Sequence, residues 1–178
     1  GHNHNVKVVM GPQDDAFSLE SKTAFLSSEY SISVQSDRMG YRMEGPAVKH
    51  LVGADIISDA TALGSVQIPG DGNPIILMAD RGTTGGYTKI ATVVGPDLSL
   101  LAQSMPGDKV RFTSVTPAEA REILMEQENF IADIKKVVGL DFSGLFTLAT
   151  DGNGHNVLSE DGDRITGFNN SSGQSRTV

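Results

Sequence analysis

The sequence predicts a mainly β fold closed into a barrel, with a few short helices and one longer helix near the C-terminal end. Three observations predict it. Short apolar or alternating runs recur between Val6 and Val115, each of strand rather than helix length. Turn signals separate them: Gly11-Pro12, Gly45-Pro46, Gly70-Asp71-Gly72-Asn73, Gly95-Pro96-Asp97 and Pro106-Gly107-Asp108. The brief helical stretches between the runs suit plugs at the ends of a closed barrel.

Val6 to Met10 (VKVVM) is the first expected strand, stopped by Gly11-Pro12. Gly1-His2 reads as a cloning remnant, so Gly1 to Asn5 carry little weight. Ser18 can cap a helix over Leu19 to Ser27, because its hydroxyl can accept from an early backbone N–H. Tyr30 to Gln35 alternates, with Tyr30, Ile32 and Val34 on one side and Ser31, Ser33 and Gln35 on the other. Tyr41 to Glu44 is a further short strand. Val66 to Pro69 and Pro74 to Ala79 flank Gly70 to Asn73 and read as a β-hairpin. The second of these runs is nearly all apolar and suits a barrel wall. Lys89 to Val94 is another strand, followed by a short helix over Leu98 to Gln103. Lys109 to Val115 alternates, Val110 and Phe112 facing opposite to Arg111 and Thr113. Thr116-Pro117-Ala118-Glu119 is a helix start, with Thr116 as N-cap, Pro117 in the first turn and Glu119 completing a capping box. Ala120, Ile123, Leu124, Ile131, Ile134, Val137 and Val138 then recur at helical spacing until Gly139. The expected division is a barrel domain over 6–140 and a Gly/Asn/Ser-rich, partly flexible segment over 141–178. Within the latter, Phe146 to Ala149 is the one strand expected and 169–178 reads as disordered.

Charge and composition exclude several classes. Fourteen Lys and Arg stand against 22 Asp and Glu, a net −8, which argues against nucleic-acid and anionic-membrane surfaces. No cysteine is present, so there is neither a disulfide framework nor a thiol nucleophile, and a cytoplasmic chain is expected. No apolar run is long enough to span a bilayer. The four His give no zinc spacing, and Asp151-Gly152-Asn153-Gly154-His155 fails as a calcium loop, with Asn156 where Gly is needed.

Three constellations can carry chemistry. Gly11-Pro12-Gln13-Asp14-Asp15 sets two carboxylates before a helix; they complement its dipole or serve as base or amide binder at a barrel rim. Ser36 to Pro46 gathers Asp37, Arg38, Tyr41, Arg42 and Glu44. Arg forks suit bidentate carboxylate binding, while Arg42 and Glu44 pairing with each other or with neighbours to seal a barrel seam is the bland alternative. Asp80-Arg81-Gly82-Thr83-Thr84-Gly85-Gly86-Tyr87 follows the most apolar run. It can form an anion-binding backbone nest, or simply a turn that needs glycine, and it lacks the Lys of a phosphate-binding P-loop.

These motifs, with Asp55-Ile56-Ile57-Ser58-Asp59, Gly64 to Pro69, Pro74 to Tyr87 and Pro106 to Phe112, resemble in order the allophanate hydrolase subunit 2 family. That family is also known as the Kip-inhibitor antagonist family, the biotin-dependent carboxyltransferase domain family, or the family of the 5-oxoprolinase C subunit. The resemblance implies a cyclophilin-like barrel and a partner, the family's subunit 1 or Kip-inhibitor-like protein. It implies an ATP-dependent amidohydrolase of the 5-oxoprolinase type, or a carboxyltransferase component using carboxybiotin, or a non-catalytic regulator of its partner. Members are longer upstream of Gly11-Pro12-Gln13, so the chain reads as a C-terminal half, inactive alone. Residue chemistry then suggests Arg38, Tyr41 and Arg42 with Thr84, Gly85 and Gly86 as binders of a small amide or carboxylate substrate. Gln67, Asp80 and Tyr87 are the candidate catalytic groups, with no metal and no cofactor held by this chain itself.

Overall fold

The computed structural model describes residues 1–138 and, beyond them, the backbone strands at 147–150, 156–160, 164–168 and 175–177. The chain divides into two compact units, Gly1–Gln127 and Glu128–Val178. In the first, seven strands close into a barrel: β1 (Asn3–Met10), β2 (Glu29–Ile32), β3 (Gly40–Glu44), β5 (Ser65–Gln67), β6 (Ile75–Leu77), β8 (Lys89–Val93) and β9 (Lys109–Ser114). The order around the wall is β1-β8-β5-β6-β3-β2-β9, and the mainly β, closed-barrel expectation holds. Every pairing is antiparallel except β1 with β9, which run parallel from Asn3 opposite Lys109 to Val8 opposite Ser114. Outside the barrel lies a two-stranded ribbon, β4 (Asp55–Ala60) with β7 (Thr84–Tyr87).

Alternation built the wall. Along β9, Val110 and Phe112 are buried while Arg111 and Thr113 are exposed. Along β3, Met43 is buried and Arg42 and Glu44 face water. The interior packs Val6, Val8, Tyr30, Ile32, Met43, Val66, Ile76, Ile90, Val110 and Phe112 with Phe25 of α1 (Leu19–Ser27). Phe25 stacks on Phe112 at 4.5 Å between ring centres, and Tyr30 tilts against both. α1 starts where the sequence indicated, with the Ser18 hydroxyl accepting from the Ser21 N–H at 3.1 Å. The capping box also forms: Glu119 N–H donates to Thr116 Oγ1, and Thr116 N–H to Glu119 Oε2. It opens α3 (Pro117–Val138).

Four local expectations change. β1 begins at Asn3, not Val6, because the parallel ladder with β9 recruits the first residues; the His2 N–H donates to Asp108 Oδ1 at 2.7 Å. β2 ends at Ile32: the chain turns there, burying Ser33 and exposing Val34. The Ser33 hydroxyl donates to Glu44 Oε1, so of the two seam pairings expected for Glu44 it takes the one with a neighbour. α2 (Gly95–Ala102) starts ahead of Leu98, since Pro96 sits in the first turn, where a missing N–H costs nothing. In the second unit, β10 (Thr147–Thr150), β11 (Asn156–Glu160), β12 (Arg164–Phe168) and β13 (Ser175–Thr177) form a four-stranded antiparallel sheet. β13 falls in the stretch read from composition as disordered. The rejected calcium-loop residues Asp151 to His155 lie outside the described residues.

The β5–β6 turn depends on one glycine. Gly72 has φ of 79°, and a Cβ there would stand 2.8 Å from Ala47 Cβ and 3.0 Å from the Val48 backbone N and O. Gly70, two residues earlier, has nothing within 4 Å of the equivalent point. Gly72→Ala is therefore expected to cost about 1–3 kcal/mol in thermal or urea unfolding, against nearly nothing for Gly70→Ala.

Candidate functional site

The sequence places two polar groups on the barrel exterior, and the loop from Asp80 to Tyr87 touches both. At its start, Arg38 Nε lies 2.9 Å from Asp80 Oδ2, and the Asp80 N–H donates to the Arg38 carbonyl at 2.9 Å. This rim pair stands in water, so its ionic contribution is small. Tyr41 packs half-buried against the core, while Arg42 is exposed with no ion pair among the described residues.

At its far end the loop becomes β7 and lies over a second, more enclosed group. Gln67 and Lys89 face each other across the β5–β8 pairing, so their side chains leave the sheet on one side. Both are buried beneath the ribbon. Lys89 Nζ donates to Asp59 Oδ2 at 2.7 Å and to the Ala60 carbonyl at 3.1 Å. Gln13 brackets the same strand: its Oε1 accepts from the Lys89 N–H, and its Nε2 donates to Asp59 Oδ2 at 3.1 Å. Thr61 Oγ1 donates to the Gly82 carbonyl and so ties the ribbon to the loop. Gln67 Nε2 is buried with no hydrogen-bond partner among the described residues. Gly85 lies directly above it: a Cβ at position 85 would come within 2.4 Å of that nitrogen.

The pair is lopsided. The Lys89 side chain is 2% exposed, and that of Asp59 is 49% exposed. The Lys89 ammonium, then the Ala60 N–H and the Gln13 amide, hold the Asp59 carboxyl below the usual carboxylate range. Asp108, at the other end of β1, is lowered too, by the Met105 and His2 backbone N–H groups. A carboxyl lowered in the folded chain contributes stability above its unfolded pKa and loses it as pH falls through the folded value. Thermal stability is thus expected to be flat near neutrality and to fall below about pH 4. Asp108→Asn should flatten part of that fall; an unchanged acid slope in that variant would contradict the assignment.

Of the expected site residues, Arg38 and Asp80 meet directly, and Gln67 and Gly85 meet directly. Thr84 and Tyr87 lie exposed on the ribbon, opposite Ala60 and Asp55. Gln13 and Asp59 belong to motifs of the resemblance but carried no expected role, and Lys89 carried none either. A lysine opening an apolar strand looks like an ordinary surface residue. Its signal is pairing: Lys89 stands in register with Gln67, and both need polar partners once the ribbon covers them. The adjacent acids Asp14 and Asp15 lie within a short 3-10 helix, Asp14–Ala16, with Asp14 paired to Lys22 at 3.2 Å. His50 Nε2 sits 3.0 Å from both the Ile68 carbonyl and Thr88 Oγ1, a structural bridge. Among the described residues no three His, Asp or Glu side chains could hold a metal ion, and no helix is long and apolar enough to cross a membrane.

Comparison with known proteins bears on this arrangement. A family model described as the carboxyltransferase domain, subdomains A and B, matches residues 1–114. The C subunit of 5-oxoprolinase from Haemophilus influenzae is 37% identical over 133 residues, covering 75% of this chain and 43% of that protein. Its namesake in Escherichia coli is 34% identical over 131 residues, covering 74% and 42%. The chain thus spans less than half the length of these two relatives. The crystal structure of K. lactis urea amidolyase superposes over 93% of this chain and 11% of its own, with a TM-score of 0.70 at 22% identity, a likeness of fold.

Proposed function

We infer, because this chain belongs to the carboxyltransferase domain family, subdomains A and B, that it is part of a multi-subunit amidohydrolase of the 5-oxoprolinase type. In this reading the assembled enzyme opens 5-oxoproline to glutamate: water adds at the ring carbonyl, the C–N bond breaks, the nitrogen leaves as the amine, and ATP drives the step. The observation that carries it is identity above 30%, over about three quarters of the chain, to two proteins named as the C subunit of 5-oxoprolinase. The site chemistry is compatible. Gln67 offers a free amide donor to a substrate oxygen, Thr84 orients the amide, Asp80 and Arg38 face each other at the rim, and Tyr87 closes over the ring. Arg42, with Tyr41 beside it on β3, is the rim arginine left to draw in the substrate's negative charge, and Gly85 and Gly86 leave room for the ligand.

The test is to assemble the full-length protein with subunit 1 and the remaining partner subunit, and to supply ATP and 5-oxoproline. Glutamate above the partner-only control is expected; none would remove this reading. The family's description favours a second reading, transfer of a carboxyl group from carboxybiotin to urea or a related amide. Avidin would stop that reaction and leave the hydrolase untouched.

A further inference from the structure

We propose that Gln67 and Lys89 form a carboxylate-binding subsite beneath the β4–β7 ribbon, that the chain's own Asp59 fills it at rest, and that a small carboxylate ligand enters by displacing Asp59 and lifting the ribbon. The identity of that ligand rests on the amidohydrolase reading; the subsite itself does not.

Two donors in the enclosed group are unspent. Gln67 Nε2 has no partner among the described residues, although Gln67 is only 6% exposed. Lys89 Nζ carries three N–H bonds and uses two, on Asp59 and the Ala60 carbonyl. Thr61 is committed to the Gly82 carbonyl and Gln13 Oε1 to the Lys89 N–H, while Gln13 Nε2, held by Asp59 at rest, becomes one more donor when Asp59 leaves. The ligand must therefore bring acceptors, and a carboxylate brings two oxygens and no donor. It must also bring negative charge. A neutral carbonyl that displaced Asp59 would leave the Lys89 ammonium buried and uncompensated, which is strongly unfavourable. The half-exposed Asp59 carboxylate can move into water at little cost, whereas the enclosed lysine cannot.

The ribbon is built to move. Five of the six β4 residues are exposed and the sixth is half-buried, so β4 contributes nothing to the core. Between the pairings Asp55–Tyr87 and Asp59–Gly85, four steps of β4 face two of β7, so the ladder is broken at its middle. Gly85 and Gly86 present no side chains to the space that lifting would open.

The experiment is hydrogen exchange on the full chain, with sodium glutarate and L-5-oxoproline as carboxylate probes and 2-pyrrolidone as the neutral ring control. Both carboxylates should bind and speed exchange at the two amides that close the ends of the ribbon, Thr61 and Thr88, which donate to Thr83 and Ala54, while the barrel amides stay unchanged. Without ligand, Asp59→Asn should speed the same amides about ten-fold or more. Gln67→Leu should weaken carboxylate binding about ten-fold and leave the free chain's ribbon exchange alone. Should Asp59→Asn unfold the chain, the Asp59→Asn/Lys89→Met double variant strands no charge; it should keep fast ribbon exchange and bind neither carboxylate. Slow ribbon exchange after loss of the Asp59 charge, or 2-pyrrolidone binding as tightly as the carboxylates, would overturn the proposal. Glutarate binding without 5-oxoproline turnover in the assembled complex would sink the amidohydrolase reading alone. Turnover with a ribbon indifferent to every carboxylate would sink the subsite alone.

Discussion

Phe112→Ala is expected to lower the unfolding free energy by about 3–5 kcal/mol, read as a shift in the urea midpoint at unchanged slope. Phe112 is 2% exposed, stacks on Phe25 at 4.5 Å and meets Tyr30 at 5.8 Å. Removing one ring deprives two others of their contact. The site cannot collapse easily, because β9 is paired on both sides, with β1 and with β2, and its backbone is fixed by both ladders. Phe112→Leu should cost less, since most of the volume is kept. A loss for alanine of under about 1 kcal/mol would mean that the three rings do not form the centre of the core.

The second large effect is an asymmetry. Asp59→Ala should destabilise the chain more than Lys89→Met does, although both break the same 2.7 Å bridge. Losing the lysine frees a carboxylate that is already half in water, and methionine refills the apolar path of the lysine stem. Losing the aspartate leaves an ammonium enclosed, with the Ala60 carbonyl as its one remaining acceptor among the described residues. Unpairing a buried charge costs about 3–5 kcal/mol where nothing relaxes, and lifting the ribbon to hydrate Lys89 would reduce that. The measurement is the thermal midpoint of each single variant and of the double. The double should lie close to Lys89→Met. Equal losses for the two single variants would show that Lys89 is as well hydrated as Asp59.

The barrel was legible because period-two alternation survives wherever one face meets the core, as at Val110 and Phe112 or at Tyr41 and Met43. Helix starts were legible at Ser18 and Thr116, where a short polar side chain must satisfy free N–H groups. The ribbon was not legible as a pair. Asp55 to Ala60 is largely exposed and has no apolar period to reveal, and its partner strand is half glycine, so the sequence there reads as a loop. The N-terminal extension of β1 escaped for a different reason: Asn3 to Asn5 are held by register against β9, a partner about a hundred residues away that no local pattern encodes. The rim pair could be guessed from Arg38 and Asp80 as types, but the enclosed group could not. Lys89 acquires its role only when β8 lines up with β5 and the ribbon folds over both.

The lone parallel pairing of the barrel also governs how the molecule is made. The strands that seal the wall are the first and the last of the barrel, joined by contacts as distant as His2 with Asp108. A nascent chain leaving the ribosome can form the β2–β3 and β5–β6 hairpins early, yet the cylinder stays open until translation has passed Ser114. During that interval the β1 edge is an unpaired template for other strands, so the period of greatest exposure to misassembly is set by the speed of synthesis as much as by the speed of folding.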